Sequence, residues 1–75
     1  MDLQDFICSF AEQFDETDPS EITASTVFQD LDEWDSLITL AVLNMTEKKF
    51  GKTITFDELK KCITVEDLFT VTKNK

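Results

Sequence analysis

Large apolar side chains return at helical spacing over most of this chain, and one long stretch breaks the rhythm. Leu3, Phe6, Ile7, Phe10, Ala11 and Phe14 follow the i, i+3, i+4, i+7 pattern of one helix face. Asp2, Gln4, Asp5, Glu12 and Gln13 fill the other side, and Asp2 suits the cap position, so the spacing predicts a first helix over residues 2–14. Residues 15–35 lack any such period. Asp15-Glu16-Thr17-Asp18-Pro19-Ser20 is a breaker cluster, because a proline inside a helix removes a hydrogen bond and clashes with the preceding turn. Ile22, Val27, Phe28 and Leu31 are scattered and are expected to pin a long loop to the core, with one helical turn in it. A loop of that length in a small domain points to function.

The rhythm resumes at Asp35. A second helix is expected from Asp35 or Ser36 to Phe50, with Asp35 as N-cap and Lys48 and Lys49 in the last turn, where the helix dipole is negative. Gly51 follows, at a position where helices often end with positive φ. Residues 52–55 are β-prone but too short for a sheet. Thr55 is expected to cap a short third helix over 56–61, with Asp57 and Glu58 in its first turn. Thr64-Val65-Glu66-Asp67 resembles a capping box with Asp in the place of Glu or Gln, opening a fourth helix over 65–72. The expected fold is all-α: a four-helix bundle with a long loop between helices 1 and 2 and a short helix 3. With 75 residues there is room for a single domain, 1–75, around one core.

Charge narrows the range of partners. The net charge is −9, and it is uneven: residues 1–35 hold 11 acids and no lysine, whereas residues 36–75 hold 5 acids and 7 lysines. Such a first half repels nucleic acid and anionic membrane and attracts basic protein surfaces. The longest apolar run is too short to span a bilayer, and the acidic start, Met1-Asp2-Leu3-Gln4-Asp5, is unlike a secretory signal. Cys8 and Cys62 lack the close spacing of a zinc or redox pair and are expected to be buried as small hydrophobes, which fits a reducing cytoplasm.

Nothing in the sequence supports catalysis by this chain. It has no histidine, no arginine and no glycine-rich loop. Asp30 and Asp32 open like a calcium-binding EF-hand loop, but Trp34, Asp35 and Ala41 then occupy its fifth, sixth and twelfth places, where ligands and a glycine are needed. The second helix instead carries apolar residues on two sides. Leu37, Leu40, Leu43 and Phe50 form one arc, expected to face the core, and Ile38, Ala41, Val42 and Met45 form the other. The second arc has three readings: packing beneath the long loop, a docking face for partner enzymes, or the wall of a pocket for a bound chain. Trp34 is either an aromatic anchor of such a docking face or a residue packed on the loop beneath it.

Asp35-Ser36-Leu37 opens that helix. With Phe28-x-x-Leu31 before it, Phe50 after it and Thr64-Val65-x-Asp67-Leu68 beyond, the chain resembles the acyl carrier protein family over nearly its whole length. The resemblance implies that Ser36 receives a covalent 4'-phosphopantetheine arm from coenzyme A through a phosphopantetheinyl transferase. Asp35 matches the acidic residue that helps place the metal and coenzyme A, and Leu37 matches the residue that anchors the motif. The implied function is a non-enzymatic carrier, a cytoplasmic monomer, holding an acyl or aminoacyl group as a thioester for loading and acyl-using enzymes. The family's fatty-acid carriers show acids along the second helix. Here Ile38, Ala41 and Lys48 stand in those places and Glu47 is the one acid, so the resemblance is nearer to stand-alone carriers of specialised biosynthetic pathways. The competing reading is an unmodified acidic helical module that binds a basic protein.

Overall fold

The computed structural model describes residues 1–75 and contains four α-helices and no strand: α1 (Leu3–Ala11), α2 (Ser36–Phe50), α3 (Phe56–Lys61) and α4 (Val65–Lys73). The loop between α1 and α2 holds two 3₁₀ turns, Pro19–Glu21 and Phe28–Asp30, one more than the sequence suggested.

Each helix starts where a polar side chain accepts an amide that has no carbonyl partner one turn back. Asp2 accepts from the Asp5 amide at 2.8 Å. Asp35 accepts from the Ile38 amide at 2.9 Å. Thr55 and Glu58 form a reciprocal capping box, with bonds of 3.1 and 3.0 Å. Asp67 serves as well as a glutamate would: it accepts from the Thr64 amide at 3.0 Å and also from Ile63 at 3.1 Å. At the other end of α2, Gly51 takes φ 66°. A Cβ there would meet nothing within 4 Å, so the left-handed backbone, and not space, calls for glycine. The first helix stops earlier than its apolar rhythm. Beyond Ala11 the Gln13 and Phe14 amides bond three residues back, to Phe10 and Ala11, and this tight turn still delivers Phe14 to the core.

Aromatic rings fill the centre. Phe6 stacks near Phe50 at 5.8 Å and meets Phe69 edge-on at 5.6 Å. Phe10 links that group to Phe14, Phe28 and Trp34. Ile22 and Phe28 carry the long loop into the same core, as expected. Leu31 is half-buried against it, but Val27 is 40% exposed. Its contribution is main-chain, a single β-bridge to Thr64. Further main-chain bonds from Val65 to Thr26 and from Glu66 to Ala24 hold the loop against the start of α4. Cys62 is buried, whereas Cys8 is exposed, on the side of α1 that the core does not cover.

The orientation of α2 divides the arc expected to face the core: Leu43 and Phe50 pack against it as expected, whereas Leu37 and Leu40 do not. Leu37 and Leu40 are 76% and 54% exposed. Val42 and Met45 are buried, with Ile38, Leu43 and Phe50 packed half-buried beside them. Two threonines complete the buried face. The Thr39 hydroxyl donates to the Asp35 carbonyl and the Thr46 hydroxyl to the Leu43 carbonyl, both at 2.8 Å, so neither enters the core unsatisfied. Leu37 and Leu40, in contrast, share their side of the helix with Asn44, Glu47 and Lys48, all exposed. Burying that side would have stripped water from two charges.

Candidate functional site

The segment entering α2 fixes three successive side chains in three directions. Trp34 turns inward and lies half-buried on Phe28, Phe10 and Phe14, with ring centroids at 4.9, 6.4 and 6.3 Å. It is a packing residue rather than a free docking anchor. Asp35 is extended, with φ −153° and ψ −172°, and its carboxylate caps the helix. Its carbonyl takes the first helical bond, from the Thr39 amide at 2.9 Å. Glu33 turns back to the start of the long loop. One of its oxygens accepts from the Asp15 amide at 2.8 Å. The other accepts from the Glu16 and Thr17 amides and the Thr17 hydroxyl, at 3.0, 2.9 and 2.8 Å. Partial desolvation pushes the Glu33 carboxyl up, but the bonds from the Thr17 hydroxyl and the three amides outweigh it, and the group lies below the ordinary glutamate range.

Ser36 is the first residue of α2 and is exposed. Asp35 satisfies Ile38 and Thr39, which leaves the amides of Ser36 and Leu37 without a partner in the chain, and the Ser36 hydroxyl also has none. Two free N–H groups and the positive end of a fifteen-residue helix therefore surround an accessible hydroxyl. Such a donor set suits a phosphodiester on that oxygen. Leu37 and Leu40 stand exposed beside it.

The expected site residues divide accordingly. Asp35, Ser36 and Leu37 share the exposed start of α2. Ala41 is half-buried at its margin, and Ile38 is half-buried against the core. Val42 and Met45 are core residues, at 0% and 4% exposure, and are withdrawn as docking candidates. Two further residues belong to the region. Leu40 is exposed where its apolar arc is expected to face inward, and its neighbours Asn44, Glu47 and Lys48 mark its face as wet. Glu33 bonds residues 15–17, and no local pattern marks those bonds. Asp30 and Asp32 remain exposed, and no group of three His, Cys, Asp or Glu side chains lies close enough to hold a metal. The largest groove, about 920 Å³, runs elsewhere, between α1 and residues such as Pro19 and Ile22. None of the Asp35–Leu37 segment lines it.

A family model described as the phosphopantetheine attachment site matches residues 4–70, from α1 into α4. Comparison with curated proteins gave no match.

Proposed function

The chain belongs to the phosphopantetheine attachment-site family and is a carrier without catalysis of its own, and from that premise we propose that Ser36 bears the arm and presents an acyl or aminoacyl cargo in a specialised biosynthetic pathway. The observation that carries the assignment is the exposed, unpartnered Ser36 hydroxyl at the first position of α2, beside two free amides. The family attaches 4'-phosphopantetheine, so a phosphopantetheinyl transferase and acyl-handling enzymes are its partners. When attached, the arm supplies a flexible tether whose thiol holds cargo as a thioester.

The chain's own residues do the rest. Asp35 fixes the first turn and so the place of Ser36. The Ser36 and Leu37 amides, free of partners in the chain, would stabilise the charge of a phosphodiester on the Ser36 oxygen. Leu37 and Leu40 offer the apolar contact that a partner enzyme covers, in place of the arc of Ile38, Val42 and Met45. The exposed side of α2 has Glu47 as its one acid, which supports a specialised set of partners over the housekeeping fatty-acid enzymes. Two unpaired thiols suit a reducing compartment, the cytoplasm. The single core supports one carrier unit, acting as a monomer.

The test is intact mass after incubation with coenzyme A, Mg²⁺ and a broad-specificity phosphopantetheinyl transferase. One phosphopantetheine is expected on the unaltered chain and none on Ser36→Ala. No gain, with a competent control carrier, would return the chain to the acidic interaction module. Docking should also depend more on leucines than on charge. Leu40→Glu should weaken partner binding about tenfold or more, the scale of an apolar interface anchor. Added salt should change it little, and the reverse pattern would sink the apolar-docking reading.

A further inference from the structure

Glu33 is the most heavily bonded side chain outside the helices, and the carrier assignment gives it no part. Its two oxygens accept four hydrogen bonds, three on one oxygen and one on the other. Three donors are consecutive main-chain amides, those of Asp15, Glu16 and Thr17, which form an anion-binding concavity. Neither ion pair of the chain, Lys49–Glu12 or Lys75–Glu58, involves Glu33, so the clamp works without a counter-ion. Acids surround it: Glu16, Glu21 and Asp32 line the same shallow groove with Thr17 and Leu31.

The location gives the clamp its meaning. It joins the end of the turn after α1 to the residue three places before Ser36. Trp34 anchors the next residue on the aromatic core, and Asp35 anchors the one after on α2. The path of the chain into Ser36 is thus held at each of three consecutive residues. Trp34 fixes its own residue on the rings of Phe10, Phe14 and Phe28 but makes no bond to residues 15–17. The Glu33 bonds are directional, and they fix where the loop begins relative to where it ends.

We propose that Glu33 is a positioning residue for modification at Ser36, acting by holding the Glu33–Asp35 segment in the one path that presents the serine to the transferase. The inference rests on the carrier reading of Ser36. Without the clamp, the competent arrangement becomes one of several, and apparent affinity falls by the fraction of molecules that hold it. Chemistry at saturation is then unchanged.

The experiment measures steady-state transfer of phosphopantetheine from coenzyme A, with Mg²⁺ and the transferase, read by intact mass, on the full chain. Glu33→Gln replaces one acceptor oxygen with an NH₂ that faces the amides. It should raise KM for the carrier about tenfold, the scale of one charge-assisted hydrogen bond, with kcat within about twofold. Thr17→Val removes one bond to the same carboxylate and should raise KM about two- to threefold. Glu16→Gln removes a charge from the same loop and keeps its amide, and should leave KM unchanged. Thr55→Ala removes the cap that opens α3, which bonds Glu58 and no residue of the long loop, and should also leave KM unchanged. A rise in KM for Thr55→Ala equal to that of Glu33→Gln would show that general loss of stability is the cause and would overturn the proposal. So would an equal rise for Glu16→Gln, since charge alone would then be the cause. Wild-type kinetics for Glu33→Gln would overturn it outright, and if that variant does not fold, wild-type KM for Thr17→Val does so. No mass gain on the unaltered chain would fail the carrier reading and this inference together, whereas normal modification with unchanged kinetics fails this inference alone.

Discussion

The two sides of α2 are similar in apolar content and opposite in role. The inner side, with Val42, Met45, Thr39 and Thr46, is closed over by α1 and the aromatic core. The outer side, with Leu37 and Leu40, is open to solvent beside Ser36. Hydrophobicity does not separate them, since the outer leucines are more apolar than the inner threonines. What separates them is whether each polar group can be satisfied without water. A threonine hydroxyl reaches a carbonyl of its own helix, and the charges of Glu47 and Lys48 do not. On the proposed function a carrier gains from this division, because the same helix is a core element and leaves Leu37 and Leu40 open beside Ser36.

Substitutions sharpen or break the contrast. The largest effect is expected at Met45. Met45→Ala should cost about 2–5 kcal/mol in urea unfolding. Leu37→Ala or Leu40→Ala should stay within about 0.5 kcal/mol, and equal losses on the two sides would end the distinction. Next is the cap that sets the helix start. Asp35→Ala should cost about 1 kcal/mol, with faster exchange of the Ile38 amide, and an unchanged midpoint would mean that Asp35 acts through modification alone. Smaller still are the threonines. Thr39→Val and Thr46→Val keep their shape and lose a bond to a carbonyl already in the helix ladder, so each should cost less than about 1 kcal/mol. A larger loss would mean that the hydroxyls hold the inner side together.

The least effect at neutral pH lies away from α2, at Glu58. A hydrogen bond from Lys75, then the Thr55 amide, draws its carboxyl from 4.5 down to about 2. The folded value is below the unfolded one, so this contribution is fully present above pH 4.5 and is lost as pH falls towards about 2. Glu58→Gln should therefore flatten the acid limb of a stability–pH curve between those values. An unchanged limb would assign acid sensitivity to the clamp at Glu33 and the box at Asp67, whose carboxyls are also held low.

Local chemistry made most of the fold legible. Asp2, Asp35, Thr55 and Thr64 mark four helix starts and Gly51 marks one end, because a cap is a contact between near neighbours. Ser36 was legible for the same reason, as the residue after a cap. Exposure was harder to read. Cys8 and Val27 look like core residues by type, yet the elements that would cover them are absent from their side of the molecule. On α2 the apolar pattern is right for Leu43 and Phe50, which pack on the core, and fails for Leu37 and Leu40, whose exposure is marked by the polar neighbours Asn44, Glu47 and Lys48.

The sequence by itself determined the helices, their order and the serine that opens α2, since periodicity and capping act over a turn or two. Only the tertiary structure decided which residues of α2 stay exposed and that Glu33 binds residues 15–17. Both depend on contacts between segments far apart in the chain, 16 to 18 residues for the clamp, and no local pattern specifies such a pairing.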